Sequence, residues 1–363
     1  MNILLVTSEF APFKGGVANY YDNLAQAWPA DDKFTVLHNN EKRLIGDSSL
    51  WPWRHAFKSI RTEIKKNFID YLMVGQILPL GTVAWCLSLF RPLKYAVFFH
   101  GMDLSYTLRR RHKKILAKMI IGRADKIICA NSYVKEELDK YYPQGSAKAI
   151  ISHPGVAGEA PSVEESLIND LKIKYGLGEH GSSVSLLTLG RLVKRKGIDK
   201  TIAALDILPA EWRNRIKYFI AGVGPDEDYL KNLVPSRLKN QIIFLGDLGR
   251  EKWAWLNLAD IFIMPARDID GDYEGFGIVY LEANLCGKPV IAGRSGGVRD
   301  AVVSGLNGLT VNEEDENSLA EAIIQLANDK NLRDRLGQQG RARALAEFKW
   351  SDLAAKLSRA IKQ

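Results

Sequence analysis

This sequence predicts an α/β fold made of two doubly wound, parallel-sheet domains, and three observations carry that expectation. Short apolar runs rich in β-branched residues alternate with helical stretches along the chain, the pattern of repeated βαβ units. The alternation breaks once, at a proline- and glycine-rich segment from His153 to Pro161, and then restarts. The chain has 363 residues, and at roughly 150 residues per domain that suggests two cores rather than one.

In chain order, NILLVTS reads as a strand leading to a helix near 17–28, and IDYLMVGQ as a strand leading to a helix near 80–90. YAVFFHG precedes a basic helix at about 109–123, and KIICANS precedes one at about 133–142. After the break and a helix near 163–175, SVSLLTLGR at 183–191 opens the second series. IKYFIAGVG, QIIFLG, DIFIMPA, KPVIAG and GLTV continue it as strands. The final helix, about 350–362, has apolar residues at Leu353, Ala354, Leu357, Ala360 and Ile361, so one face is expected to be buried. Ligands of open α/β sheets bind beyond the carboxyl ends of the strands, so the chemistry is expected in loops that follow strands, in a cleft between the two domains.

Hydrophobic residues make up 46% and charged residues 25%, a balance that excludes a disordered, collagen-like or coiled-coil chain. Cys86, Cys129 and Cys286 lie far apart, with neither metal-ligand spacing nor a disulfide framework, so a reducing, cytoplasmic compartment is the simpler reading. The opening MNILLVTSEF lacks a basic leader and meets Glu9 early, unlike a secretory signal. The uncharged stretch 71–90 nominally spans a bilayer, but Gly75, Gln76, Pro79, Gly81 and Thr82 at its centre read as a turn between two elements.

The net charge of +8 is uneven: residues 1–150 hold 22 Lys/Arg against 13 Asp/Glu, and residues 51–126 hold 15 against 4. A one-sided basic region points to an anionic partner. Trp51-Pro52-Trp53-Arg54 continuing to Lys65-Lys66 mixes aromatics with cations. Arg109, Arg110, Arg111, Lys113 and Lys114 begin a helix whose other face carries Ile115, Leu116, Met119 and Ile120. The two readings of each segment are contact with an anionic membrane surface and an ordinary amphipathic helix on the core. No recognition motif accompanies the charge, so nucleic acid is not expected as a partner.

Four loops carry candidate chemistry. Gly15-Gly16 follows the first strand, where positive φ and close backbone approach are open to it. The dinucleotide fingerprint is missing there and at Gly222-Val223-Gly224-Pro225, which argues against a nicotinamide or flavin cofactor. Gly190-Arg191-Leu192-Val193-Lys194-Arg195-Lys196-Gly197 places four cations in a glycine-bracketed loop, suited to a diphosphate and to the charge that builds on a leaving group. Glu274-Gly275-Phe276-Gly277-Ile278 leads to Glu282 on the next helix, offering one carboxylate to sugar hydroxyls and another to a ribose. Gly293-Arg294-Ser295-Gly296-Gly297 either lines the same site or only turns the chain. Asp268, Asp270 and Asp272 lack the glycine and closing glutamate of a calcium loop.

Taken in order and at their separations, Gly190-Arg191…Lys196-Gly197, Glu274-Gly275-Phe276-Gly277…Glu282-Ala283, Gly287-Lys288-Pro289-Val290 and Gly296-Gly297 resemble the family 4 retaining glycosyltransferases of GT-B fold. The likeness is strongest over 185–312, with support from Gly15-Gly16, His100-Gly101 and His153-Pro154-Gly155-Val156. It implies two facing Rossmann-like domains, an acceptor-side one over 1–165 and a nucleotide-sugar donor domain over 175–347. The helix at about 348–363 would pack back on the first. It further implies transfer of a hexose from a UDP- or GDP-sugar, without a metal or other cofactor, to a glycan or lipid-linked acceptor in glycolipid, lipopolysaccharide or polysaccharide synthesis. By that resemblance Arg191, Lys196, Glu274 and His100 are catalytic, and Gly15, Gly16, Gly190, Phe276, Gly277, Ile278, Glu282, Gly296 and Gly297 bind the donor. Gly246 and Leu248 lie near the nucleobase. The linker reads His-Pro-Gly-Val where the family usually has Pro-Asn-Gly-Val, and residues 35–68, on the acceptor side, match little. The alternatives are a non-catalytic sugar-nucleotide- or glycan-binding protein of this fold, or an epimerase or phosphorylase. Release of nucleoside diphosphate with a new glycoside bond separates these from a transferase.

Overall fold

The structure, a computed structural model, describes residues 1–13, 15–40, 42–45, 53–177 and 183–363. Trp51 and Pro52 of the aromatic–basic segment lie outside the described residues. The chain divides into two compact units, Met1–Gly155 with Phe348–Gln363, and Val156–Glu347. The expected boundary at 165 therefore moves: residues from 156 onward go with the second unit. Pro161 and Val163 there share a small cavity with Asn257, Leu285 and Arg341 of that unit.

The first unit holds β1 (Asn2–Thr7), β2 (Lys33–His38), β3 (Tyr71–Val74), β4 (Lys94–Phe99), β5 (Lys126–Cys129) and β6 (Ala149–Ile151). They form one parallel sheet in the order β2-β1-β3-β4-β5-β6. The helices between them are α1 (Gly16–Gln26), α2 (Arg54–Lys66), α3 (Thr82–Phe90), α4 (Met102–Leu108), α5 (Arg111–Arg123) and α6 (Ser132–Tyr141). Strand β1 is a continuous apolar run because both of its faces are covered. Leu4 and Val6 join one core layer with Leu72, Val74, Val97 and Phe99. Ile3 and Leu5 join the other with Tyr21, Leu24, Met73 and Phe98.

The second unit begins with α7 (Glu165–Tyr175) and holds β7 (Val184–Leu189), β8 (Ile216–Ala221), β9 (Ile242–Gly246), β10 (Ile261–Met264), β11 (Val290–Ala292) and β12 (Gly308–Thr310). Its parallel order is β12-β11-β10-β7-β8-β9. Between the strands lie α8 (Ile198–Ile207), α9 (Ala210–Arg213), α10 (Glu227–Leu233), α11 (Lys252–Leu258), α12 (Ile278–Leu285) and α13 (Val298–Ala301). Helices α14 (Glu316–Asn328) and α15 (Lys330–Glu347) complete the unit, and α16 (Trp350–Ile361) returns to the first.

Helix α16 buries Trp350, Ala354, Leu357 and Ile361 in the layer below β1, each large side chain worth about 1.5–3 kcal/mol of burial. Asp32, at the end of the α1–β2 loop, fastens it: Lys362 Nζ and Ser358 Oγ both lie 2.8 Å from its Oδ2. The Trp28 indole N–H donates to the same oxygen at 3.2 Å.

Both sheets reverse direction once. In the first, β1 is followed by β2 on one side and β3 on the other; in the second, β7 is flanked by β8 and β10. Such a reversal opens a crevice at the strands' carboxyl ends. The loops there are those after β1, β3 and β4 in the first unit, and after β7 and β10 in the second.

The basic helix expected at 109–123 is α5, and a further helix, α4, precedes it. Residues 102–123 form two helices, with Arg109 and Arg110 at their junction. Helix α5 buries only Ala117, Ile120 and Ile121, while Ile115 and Met119 are 62% and 42% exposed. The apolar residues of this helix are thus split between core and solvent.

Candidate active site

At the reversal of the second sheet, the loops after β7 and β10 meet main chain to main chain. Gly197 has a left-handed φ of +70°, and a Cβ there would lie 2.1 Å from the Pro265 carbonyl oxygen, so only glycine fits. The Arg267 N–H donates to the Arg195 carbonyl at 2.8 Å, and the buried Arg267 guanidinium is held by Asp199 at 2.7 Å. A single helical turn, Lys194–Lys196, then delivers two cations to one carboxylate. Lys196 Nζ lies 2.5 Å and Arg195 Nη1 2.6 Å from Glu274 Oε2, and Arg195 Nε reaches Asp272 at 3.2 Å.

Burial pushes the Glu274 carboxyl up, but the charges of Lys196 and Arg195 and their hydrogen bonds outweigh it and hold it below the usual range. Glu274 is therefore ionised at neutral pH. Its Oε2 is doubly engaged, and its Oε1 has no partner among the described residues. What remains is an acceptor-only oxygen suited to a ligand hydroxyl. Arg191, by contrast, is exposed and makes no ion pair among the described residues, leaving its guanidinium available to an anion.

The glycine loop after β11 closes on the same carboxylate residue. Gly296 has φ +55°, with space for a Cβ only 2.5 Å from the Glu274 carbonyl oxygen, and Gly297 N–H donates to that oxygen at 3.1 Å. The loop therefore packs directly on the main chain of Glu274. Between these contacts, the buried Ser295 hydroxyl has no partner among the described residues.

Gly275 and Phe276 lead into Gly277, the N-cap of α12, whose helical run begins at Ile278. The Tyr280 hydroxyl donates to the Met264 carbonyl at 2.6 Å, tying this first turn to the end of β10. Glu282, one turn on, is not a free surface side chain: Lys252 Nζ, at the start of α11, lies 2.8 Å from its Oε1. Gly246 ends β9, and Leu248 precedes the short turn that enters α11, so both belong to the segment that leads to this pair. Asp268 accepts the Gly271 N–H at 2.7 Å. No cluster of three or more His, Cys, Asp or Glu suited to a metal occurs among the described residues.

In the first unit, α1 and His100 are built together. Gly15 is extended (φ 176°) and Gly16 starts the helix, so the positive φ open to this pair is not used. A Cβ on Gly16 would meet nothing within 4 Å, and what the glycines leave is open space at a helix start. One turn on, Tyr20 and Tyr21 pack edge-on against the His100 ring at 5.1 and 5.2 Å. The Tyr21 hydroxyl donates to the Gly75 carbonyl at 2.7 Å and lies 2.7 Å from His100 Nε2. With its one proton committed to Gly75, Tyr21 accepts from His100, which sets the imidazole as the Nε2–H tautomer with Nδ1 a lone-pair acceptor. Burial lowers the His100 pKa to about 4, so the ring is neutral at physiological pH. Its main-chain N–H donates to Asp103 Oδ2 at 2.9 Å.

A mannosyltransferase of Corynebacterium glutamicum, described as GDP-mannose-dependent and acting on monoacylated alpha-(1-6)-phosphatidylinositol monomannoside, is 30% identical over 98% of this chain and 96% of its own length. The chain belongs to the group 1 glycosyl transferases. The profile of that family, "Glycosyl transferases group 1", matches residues 172–343 of this glycosyltransferase. A GDP-mannose-dependent alpha-(1-6)-phosphatidylinositol monomannoside mannosyltransferase of Mycobacterium tuberculosis is 27% identical over 98% of this chain and 97% of its own. Among solved structures, Anabaena HepE in complex with UDP and glucose superposes with a TM-score of 0.77 at 18% identity, covering 100% of this chain and 99% of that one. WaaG, a lipopolysaccharide glycosyltransferase, does so with 0.69 at 17%, covering 99% of each. The fold is GT-B, with one six-stranded parallel sheet in each unit.

Of the residues singled out from the glycosyltransferase sequence, the structure joins Lys196, Glu274, Gly296 and Gly297 in direct contact. It sets Glu282 on a separate pair with Lys252, and leaves Arg191 exposed. Sequence reasoning did not assign Arg195, although it stood in the cationic run. Lys252 and Ser295 were missed because their partners are remote in sequence or absent. Tyr21, Gly75 and Asp103 were missed as well. The Tyr20-Tyr21 pair one turn after the diglycine was the available signal. Lys113 is half-buried, its Nζ 3.3 Å above the Tyr106 ring, while Arg109, Arg110, Arg111 and Lys114 are exposed.

Proposed function

We propose that this glycosyltransferase moves a mannosyl residue from GDP-mannose to a hydroxyl of an anionic, lipid-linked polyol, with retention of anomeric configuration and without a metal. The observation that carries the reading is the pairing of a buried, ionised Glu274 with Lys196 and Arg195, on the loop that also carries an exposed Arg191 with no ion pair among the described residues. Three full-length relatives described as GDP-mannose-dependent mannosyltransferases of phosphatidylinositol mannosides supply the donor and acceptor classes.

In this reading Arg191 and Lys196 bind the donor diphosphate and offset the charge that develops as it leaves. Glu274 Oε1 and the amides at the start of α12 hold the transferred sugar, and Glu282 holds the ribose. His100, through Nδ1, accepts a hydrogen bond from a sugar hydroxyl. The acceptor oxygen attacks the anomeric carbon on the face from which the diphosphate departs. The electrons of the breaking C–O bond go to the diphosphate, and the acceptor's proton goes to a donor phosphate oxygen. The side chains bind, orient and neutralise charge, and none forms a covalent bond.

The surface of the first unit fits an acceptor held at a bilayer. Ile115 and Met119 project from α5 among exposed Arg111, Lys114 and Lys118, an apolar pair in a cationic field as on interfacial helices. No helix among the described residues is long and apolar enough to cross a membrane. The deciding experiment offers GDP-mannose, GDP-glucose, UDP-glucose and UDP-galactose with a phosphatidylinositol mannoside acceptor, with and without EDTA. GDP release with an α-mannoside product, unaffected by EDTA, is expected. Turnover confined to a UDP-sugar, a β-linked product or loss of activity in EDTA would overturn the corresponding part of the proposal.

A further inference from the structure

Helix α12 starts in the candidate active site and ends, eight residues on, against a cavity that the site does not use. At the usual helical rise the two ends lie about 12 Å apart. The cavity has a volume of about 240 Å³ and belongs wholly to the second unit. Pro161 and Ser162, ahead of α7, line it with Asn257 of α11, Leu285 and Cys286 at the end of α12, and Arg341 of α15. The charge there is one-sided. No acidic side chain lines the cavity, and Arg341 is exposed with no ion pair among the described residues. The charges acting on the Cys286 thiol are those of Lys288, Arg341, Lys252 and Glu282. Lys252 and Glu282 pair at 2.8 Å and offset each other, which leaves Lys288 and Arg341.

Lys288 has no ion pair among the described residues either. The two carboxylates that act on it are engaged elsewhere: Asp260 with the Ser185 N–H and hydroxyl at 2.8 and 2.7 Å, and Asp334 with Lys330 at 2.6 Å. Burial pushes its ammonium pKa down, a cost that an anion beside it would offset. Burial pushes the Cys286 thiol up to about 11, so it is uncharged at neutral pH and adds no competing anion. An unpaired guanidinium presents a planar fork that fits a carboxylate or a phosphate. The second unpaired cation favours the doubly charged of these, a phosphate monoester. Asn257 donates through Nδ2 to the Trp253 carbonyl at 2.8 Å, and its Oδ1, without a partner among the described residues, is left to accept from a hydroxyl. Pro161 and Leu285 supply surface for C–H groups. The volume falls below the range of about 300–1,000 Å³ for drug-sized ligands, so the body is small.

We infer that this cavity is a binding site for a small, soluble sugar phosphate, with Arg341 on the phosphate and Asn257 Oδ1 accepting from a hydroxyl. It shares no residue with the cationic loop Gly190–Gly197 or with Glu274, and its ligand is neither donor nor acceptor. The inference therefore stands apart from the transferase reading.

The test is calorimetric titration of the full chain, saturated with GDP to fill the donor site, with mannose 6-phosphate, mannose and inorganic phosphate. The sugar phosphate should bind at least tenfold more tightly than either fragment. Arg341→Gln changes an exposed side chain, should hold Tm within about 2 °C, and should weaken the sugar phosphate at least tenfold. Arg335→Gln removes the same charge from an exposed position of α15 outside the lining, and should leave binding within twofold. Asn257→Ala should weaken the sugar phosphate several-fold and leave inorganic phosphate unchanged. Cys286 reports the location: mannose 6-phosphate should slow its alkylation by iodoacetamide at pH 9 at least fivefold, read by mass spectrometry, while Cys86 in the first unit reacts at an unchanged rate. Inorganic phosphate binding as tightly as the sugar phosphate, equal losses in the two arginine variants, or unslowed alkylation of Cys286 at saturation would overturn the inference. Failure of GDP to bind would overturn the donor proposed above, and the contrast between Arg341→Gln and Arg335→Gln would still decide the cavity.

Discussion

Removing Lys196 and removing Glu274 should have very different consequences, although the two are bonded to each other. Glu274 Oε2 receives two charge-assisted hydrogen bonds, at 2.5 Å from Lys196 and 2.6 Å from Arg195. Each such bond contributes about 1.5–3 kcal/mol. Lys196→Met deletes one of them, but Arg195 still pairs the buried carboxylate, so a loss of about 2 kcal/mol is expected. Glu274→Ala leaves Lys196 buried without a counter-charge and Arg195 with only the exposed Asp272. Breaking a buried pair in that way costs about 3–5 kcal/mol. In a unit of this size 1 kcal/mol shifts Tm by about 2–4 °C, so the expected drops are about 4–8 °C for Lys196→Met and at least about 6 °C for Glu274→Ala. The two units need not melt together, so the assay is calorimetry with the second unit's transition identified by its shift on adding GDP. The double variant Lys196→Met/Glu274→Gln should fall short of the sum of its two singles by about 1–3 kcal/mol, the signature of a shared contact. Both single variants should also lose transfer. Additive losses, or a Tm drop for Glu274→Ala smaller than that for Lys196→Met, would refute the shared-carboxylate geometry. The folded pKa of Glu274 is lowered, so its contribution is present above the unfolded value of about 4.3 and is lost as pH falls below it.

Three further outcomes are expected. Tyr21→Phe frees His100 from its tautomeric restraint, so nitrogen-15 NMR should show the wild-type ring as Nε2–H and unprotonated until about pH 4, and the variant as a tautomer mixture. Because that pKa lies below the unfolded value of about 6.5, the wild type should lose stability as pH falls from about 6.5 towards 4. Asp32→Asn weakens the hold on Lys362 and Ser358 and should destabilise the first unit by about 2–4 kcal/mol, followed through Trp28 fluorescence in urea. The Asp32 carboxyl is pushed up by burial but held well below its usual range by bonds from Lys362, the N-terminal ammonium, Ser358 and Trp28. Its contribution should therefore disappear only below about pH 4. Ile115→Glu should weaken co-sedimentation with anionic liposomes several-fold while leaving melting within about 0.5 kcal/mol of wild type, as for an exposed site.

Much of the donor half was legible in one dimension because its loops follow strands and carry their own chemistry. Gly190 to Gly197 and Glu274 to Glu282 advertise charge and backbone freedom at fixed short spacings. The first unit was less legible. Strand β2 (Lys33–His38) had gone unassigned, being an edge strand with only Leu37 fully buried. The helix expected at 109–123 is present as α5, starting after the extended Arg110, but the separate short helix α4 before it had no expectation. The apolar residues of α5 could not be sorted into core and solvent by periodicity, because two of the expected core positions, Ile115 and Met119, face water.

The sequence by itself determined the class of fold, the two-part organisation, and the loops that carry cations, glycines and carboxylates, since each of these is a local property of residue type and spacing. The tertiary structure decided how those groups are used. Strand order brings the loops after β7 and β10 together, so that Arg195 and Lys196 converge on one oxygen of Glu274 and leave the other open. It also sets Tyr21 between Gly75 and His100, which chooses the imidazole's tautomer. Asp103 and Arg109 stand six residues apart in sequence, and the packing of Ile77 and Leu78 against this segment sets both in the lining of one cavity. Partnership, proton position and the choice between buried and exposed depend on distances between remote segments, and those distances exist only once the chain has folded.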